Sequence, residues 1–391
     1  MKYRLLLPIC LSLTLAAHAE LAVSTNDAHM VLINGVNMPV KDAPPDTLAI
    51  IDLAVSPPKL VAEIDVPGSV IGPPFSVAVT PDESLALVTA CMKVDPADPT
   101  KSTEDNRLSV VDLKARPPRL LTTMAVGKGP AGMTINREGN LAMVANRGDG
   151  SISAFTIKGQ TVTKVETLSI GNAASALGMV AITPDSKHAL VSFDGENRIV
   201  VLNIDLPALL SGTVTKAPPI TLAGRDLKSG IRPYGMNITK DGHYAVVGNV
   251  GNGNGDTDTV GLIDLAAQPA RVVDLAPVPQ TPEGIKLSPD GTICAVLSMD
   301  GSNQAPGTPF YHDHGQLLLF RLSNGKFTPL AHALTGHMAE GVAFSADGKT
   351  ILVGNMVEKN IQVFSWDGKN LRDTGVAIPL KAGSAAIATA Q

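Results

Sequence analysis

Aromatic side chains are almost missing from this chain, with one Trp, four Tyr and eight Phe among 391 residues. A core made without them has to be packed from Val, Ile, Leu, Ala and Met. Cysteine is as scarce, three in all, so disulfides cannot be the main source of stability. No Cys-x-x-Cys-His run occurs, which excludes covalently attached c-type haem. Nor is there an excess of basic residues. The formal net charge is −5, and a nucleic-acid surface needs a basic stripe. No apolar run is long enough to cross a bilayer, so no membrane span is expected.

What is present begins with a leader. "MKYRLLLPICLSLTLAAHAE" has Lys2 and Arg4, an apolar stretch from Leu5 to Ala17, and the small-x-small step Ala17-His18-Ala19. These are the n-region, h-region and cleavage site of a secretory signal peptide, with cleavage expected after Ala19. Residues 1–19 are then the leader, and 20–391 the mature chain. The expected location is the periplasm. Cys91 and Cys294 remain after cleavage.

Glycine and proline are plentiful, at 36 and 29 residues, and they punctuate a repeat. "FSVAVTPDESLALVTA" starts at 75, "AGMTINREGNLAMVAN" at 131 and "GMVAITPDSKHALVSF" at 178. "YGMNITKDGHYAVVGN" follows at 234, "EGIKLSPDGTICAVLS" at 283 and "EGVAFSADGKTILVGN" at 340. Each alternates apolar and other residues, turns at an acidic step, and runs apolar again. That pattern predicts a β-hairpin. A second hairpin follows, as in "LSVVDLKARPPRLLTTMAV" (108–126) and "TVGLIDLAAQPARVVDLAPV" (259–278). Four strands per repeat predict the blade of a β-propeller. Prolines 57, 58, 117, 118 and 269 fall in its outer turn, where an edge strand tolerates a missing N–H.

Six first hairpins are complete. The N-terminus supplies "LAVSTND" (21–27), which matches a second strand, and the C-terminus ends in "GSAAIATA" (383–390), which matches a first. The fold class is therefore all-β: one domain, a seven-bladed propeller with four antiparallel strands per blade. The C-terminal strand pairs with the N-terminal one and closes the ring, leaving no open gap. The blade holding both ends is numbered one here. Cys91 then lies in blade 2 and Cys294 in blade 6, too far apart to bridge, so both are expected to be free thiols.

The Pro-x-Gly-like blade openings, the Ser/Thr-Pro-Asp-Gly turns and the "VIDL"-like continuations resemble those of the YVTN-type seven-bladed propellers of exported bacterial proteins. The resemblance covers essentially the whole mature chain. Proteins sharing this repeat include lactonase-like proteins, haem d1 domains of nitrite reductases, amine dehydrogenase heavy chains and surface binding proteins. Lactonase-like members often carry histidine at the blade openings. Here Phe75, Ala131, Tyr234, Glu283 and Glu340 stand there. The resemblance thus implies the fold, and leaves binding and hydrolysis both open.

In such a ring the acidic turns lie on one rim. The leads into each first strand, and the loops from second to third strands, lie on the other. Those leads offer Phe75, Arg232 with Tyr234, Glu283 and Glu340 as ligand-binding candidates. The loops 26–46, 91–107 and 299–315 are longer than a hairpin needs, and long loops in a compact fold are usually functional or mobile. They belong to blades 1, 2 and 6 and so form an arc. They bring His29, His312 and His314 to this rim, with His337 on the lead into blade 7. Imidazole and carboxylate suit zinc or copper, and also acid–base work. The four histidines are therefore candidate ligands for a divalent metal, although their spacing matches no specific motif. Glu283 and Glu340 hold equivalent positions in adjacent blades and should face the channel at similar height, where one would raise the other's pKa. The Gly251-Asn252-Gly253 run lacks a following helix, so it implies no phosphate cradle.

The leading expectation is a monomeric binding protein, with a small ligand or another exported protein on the rim that carries the long loops. The alternative is an enzyme, either a lactonase-like hydrolase or a subunit of a redox complex. In the hydrolase reading Glu340 or His337 is the base, with Glu283 a further catalytic candidate, and Arg232 with Tyr234 steadies an oxyanion.

Overall fold

The computed structural model describes residues 20–212 and 217–390; the predicted leader lies outside them. Seven four-stranded antiparallel sheets form the ring. The inner strands of blades 2 to 7 are Val77–Val79, Pro130–Ile135, Leu177–Ile182, Pro233–Ile238, Pro282–Leu287 and Ala339–Phe344. Blade 1 is composite. Its inner strand is Gly383–Thr389, followed outward by Leu21–Asp27, Thr47–Asp52 and Lys59–Asp65. The two ends pair antiparallel from Ala22↔Thr389 to Asp27↔Gly383. The Ser24 and Ser384 hydroxyls meet at 3.0 Å.

The recurring acidic turn has a local cause. In blade 2 the Thr80 hydroxyl donates to Asp82 (2.7 Å) and accepts from the Leu85 N–H (3.0 Å). Thr239–Asp241, Ser288–Asp290 and Ser345–Asp347 repeat the first bond. The next residue is left-handed: Gly242, Gly291 and Gly348 have φ near 70°, which glycine adopts without steric cost. Side-chain capping of this kind fixes a tight turn with few residues.

Between blades the packing is aliphatic, as the scarcity of aromatics required. Leu85, Leu87, Leu108 and Val110 of blade 2 pack with Met133, Ala142, Val144 and Phe155 of blade 3. Glycines let inner strands approach. A Cβ on Gly284 would lie 2.6 Å from the Glu340 carbonyl oxygen, and one on Gly235 2.6 Å from that of Glu283. Ser56-Pro57, Arg116-Pro117 and Gln268-Pro269 in the outer turns are cis.

Three segments depart from the plain repeat. Loop 91–107 is mostly strand, because Leu85–Val94 and Ser102–Asp112 continue past the blade as a long hairpin. Within 26–46 a small hairpin forms from Met30–Ile33 and Val36–Pro39. Blade 4 inserts a short helix, Leu206–Ser211, capped by the Asp205 side chain, before a three-residue outer strand, Ile220–Leu222. Cys91 and Cys294 are buried free thiols. No helix among the described residues is long and apolar enough to cross a membrane.

Candidate functional site

The leads into the inner strands and the second-to-third-strand loops share a rim because they bond to each other. The N–H groups of Val250, Met299 and Met356 donate to the carbonyls of Arg232, Thr281 and Met338. Just inside this rim, one residue per blade stands seven before the turn acid: Phe75, Ala131, Gly178, Tyr234, Glu283 and Glu340. Small residues in blades 3 and 4 leave room for large ones opposite. A Cβ on Gly178 would lie 3.4 Å from the Tyr234 ring.

Phe75 crosses the channel. A Cβ on Gly235, three blades away, would lie 2.5 Å from its Cε2. The ring packs with Met179, Met236 and Ile285 and so fills the middle of the channel.

The side of Phe75 toward the long-loop rim is polar. Asp194, 2% exposed, opens the turn after the second strand of blade 4 and holds two guanidinium groups. Arg147 Nη2 reaches Asp194 Oδ2 at 2.6 Å, and Arg232 Nε reaches Oδ1 at 2.6 Å. Arg147 Nη1 also donates to the Ala176 carbonyl (2.8 Å), while Arg232 Nη1 donates to that of Gly251 (3.3 Å). This clamp joins blades 3, 4 and 5. The Arg147 guanidinium lies 5.7 Å from the centre of the Tyr234 ring, within cation–π range.

The two glutamates face each other's charge at the far side of this polar region. Glu340 is 1% exposed, and its Oε2 has no hydrogen-bond partner. Burial, then the charge of Glu283, holds its carboxyl well above the usual range. Burial also pushes Glu283 up to about 8, against the opposing pull of Arg232 and Arg147. Both acids therefore favour the protonated, hydrogen-bond-donating form at neutral pH. Tyr234 is held well above its ordinary value, first by burial and then by Glu283.

The histidines are placed differently. His314 and His337 approach, with ring centres 6.2 Å apart. His337 is tied by Nδ1 to Glu358 (2.6 Å) and by Nε2 to Asp313 (3.2 Å). Burial pulls its pKa down, but these carboxylates raise it overall. His312 turns to the Asp300 carbonyl (2.9 Å). His29 stands apart with Asp27 and Asp46, its Nδ1 3.0 and 2.8 Å from their carboxylates. Among the described residues this is the one trio close enough to hold a metal ion. Its carboxylates are already engaged: Asp27 accepts the N–H groups of His29, Met30 and Val70, and Asp46 those of Ala28 and Gly68.

Around this mouth the loops interlock. A Cβ on Gly35, at the tip of the blade 1 hairpin, would lie 2.7 Å from the Ala305 nitrogen in the blade 6 loop. Beneath them Met30, Met299, Met338 and Met356 pack together. Sequence reasoning missed Arg147 and Asp194. Each follows a second strand, in "NRGDG" and "FDGENR", but the partner of each lies in a neighbouring blade.

No family model matches the chain. No curated protein matches it either. Solved structures do. A putative 6-phosphogluconolactonase from Bacteroides fragilis superposes with a TM-score of 0.70 at 17% identity, covering 96% of this chain and 99% of that one. A periplasmic gluconolactonase from Pseudomonas aeruginosa gives 0.63 at 15% identity, over 95% and 98%. Hydrazine synthase of Kuenenia stuttgartiensis gives 0.60 at 18%, over 82% and 90%. The chain has the fold of the lactonase-like propellers. At these identities the likeness concerns the fold alone. In this chain Arg232-Pro233-Tyr234 and the two glutamates stand at the blade openings.

Proposed function

We propose that this exported propeller binds a small oxygen-rich molecule, such as a hydroxy acid or its lactone, in the polar region between Tyr234, Glu283 and Glu340. The observation behind this reading is the unpartnered Oε2 of buried Glu340 beside Glu283. A buried polar atom without a partner is costly, and a ligand hydroxyl or carbonyl relieves that cost. Protonated carboxyls donate to ligand oxygens, and Arg232, with its side chain 42% exposed, meets a ligand carboxylate. Calorimetric titration with gluconate and gluconolactone tests this. Millimolar or tighter binding that falls at least tenfold in Glu340→Gln supports the reading; no binding of either compound removes it.

The lactonase-like neighbours favour a second reading, hydrolysis of a lactone. Glu283, more open than Glu340, is then the base toward water, with Arg232 and Tyr234 at the developing oxyanion. Such activity rises as pH passes about 8, where Glu283 loses its proton. Ring opening of gluconolactone, followed by acid release, decides between binding and turnover. Elemental analysis of the purified mature protein decides whether a divalent metal takes part.

A further inference from the structure

The other side of Phe75 opens at the rim of acidic turns and differs in chemistry. It is a cavity of about 510 Å³, lined by inner strands from all around the ring, with Phe75 at its inner end. Met133, Met179, Met236, Ile285, Val342 and Ile387 give it apolar walls. Among the inner-strand residues of this lining Lys286 is the one charged group; Glu20, Asp82, Glu83, Arg137 and Lys240 line the cavity from outside those strands. Lys286 is 8% exposed, four residues before its turn acid, at the level where other blades carry Ala78, Thr134, Ala181, Asn237 and Ala343. No carboxylate among the described residues pairs with it, and burial alone drags its ammonium down to about 8. At neutral pH it therefore remains mostly charged, in an apolar cavity, without a counter-ion. An unpaired buried charge is costly, and a bound anion offsets that cost.

We infer that this chamber is a second ligand site, which takes an apolar molecule ending in a single carboxylate that pairs with Lys286. The volume lies in the range of small-molecule sites. On the strand walls a single cation matches a single negative charge, Arg137 and Lys240 lying beyond the strand ends, whereas a phosphate dianion calls for more donors beside Lys286. Asn237 lines the same chamber, and its Oδ1 already accepts the Leu287 N–H (3.2 Å). Its amide NH₂ is left as a donor for the second carboxylate oxygen. Neither Tyr234, Glu283 nor Glu340 lines this cavity, so the site stands independently of the polar one.

The test is calorimetric titration of the mature protein with decanoate, below its micellar concentration, at pH 7. Wild-type protein is expected to bind with a Kd below about 100 μM, corresponding to roughly 5 to 6 kcal/mol. Lys286→Met should weaken binding at least tenfold, and Lys286→Arg, which keeps the charge, should hold it within tenfold. Wild-type affinity should also drop as pH rises from 7 to 9.5. No binding by wild type, equal binding by Lys286→Met, or displacement of decanoate by gluconate would each overturn the inference. A Lys286 adduct trapped from decanal by borohydride, without decanoate binding, would overturn it as well.

Discussion

Removal of the last ten residues, 382–391, is the most direct perturbation of the ring. These residues supply the innermost strand of blade 1, and Ala385, Ala386, Ile387 and Ala388 are all buried. Ala386 and Ala388 pack with Val23, Leu48, Ile50 and Val77, while Ile387 packs with Ala343 and Leu352 of blade 7. Burying an isoleucine is worth about 2–3 kcal/mol and each alanine methyl about 0.8, so the side chains alone contribute about 5 kcal/mol. The loss also exposes the Leu21–Asp27 strand, every residue of which is buried. Domains are stable by only about 5–15 kcal/mol. The truncated chain should therefore melt at least about 10 °C lower by circular dichroism, or fail to fold. A synthetic peptide of the deleted segment should raise the melting point again, with the logarithm of its concentration once that exceeds Kd. A truncated protein that melts within about 2 °C of the full one would refute the closure argument.

Stability should fall as pH rises from about 4.5 to 8, because folded Glu283 holds its proton across that window while the unfolded chain does not. Denaturant titrations of Glu283→Gln/Glu340→Gln across that range should show a smaller fall. Lys286 acts in the opposite sense: between about 8 and 10.5 the unfolded chain binds the extra proton, so stability rises with pH, and Lys286→Met should remove that rise. Asp194→Asn should destabilise by about 1–3 kcal/mol, below the cost of breaking a fully buried pair, since Arg147 and Arg232 keep partial access to water; urea midpoints measure this. Cys91 and Cys294, both buried, with Cys91 pushed up to about 12, should resist thiol reagents in the native state and both titrate in denaturant.

The ring was legible because its signals are local. The hydroxyl, acid and glycine of the turns in blades 5, 6 and 7 sit within four consecutive residues, and the other three blades vary one of them, so the repeat shows in the text of the chain, and the two unmatched ends declare the composite blade. The equivalent heights of Glu283 and Glu340 followed from the same register. The small hairpin was also within reach: Asn34-Gly35, both left-handed, is the strongest short hairpin signal, yet it was read as part of a long loop. The strand extensions through Val94 and from Ser102 were not legible, because alternation there is weak and pairing decides. The clamp escaped for a similar reason. Arg147 and Asp194 are 47 residues apart, and nothing near either one names the other. Lys286 looked like part of an apolar strand, and only comparison at one level across six blades sets it apart.

The composite blade also fixes an order of events. Its second strand is the first segment of the ring to be synthesised, and its first strand is the last. Ser24 must wait 360 residues for Ser384. No blade-by-blade folding from the N-terminus can finish the first blade until the whole chain is available. Until then the Leu21–Asp27 strand has an open edge, and such edges template pairing with other chains. A chain of this design gains from being held unfolded until its last residue is made, and a stalled or C-terminally nicked copy is the form most prone to aggregate.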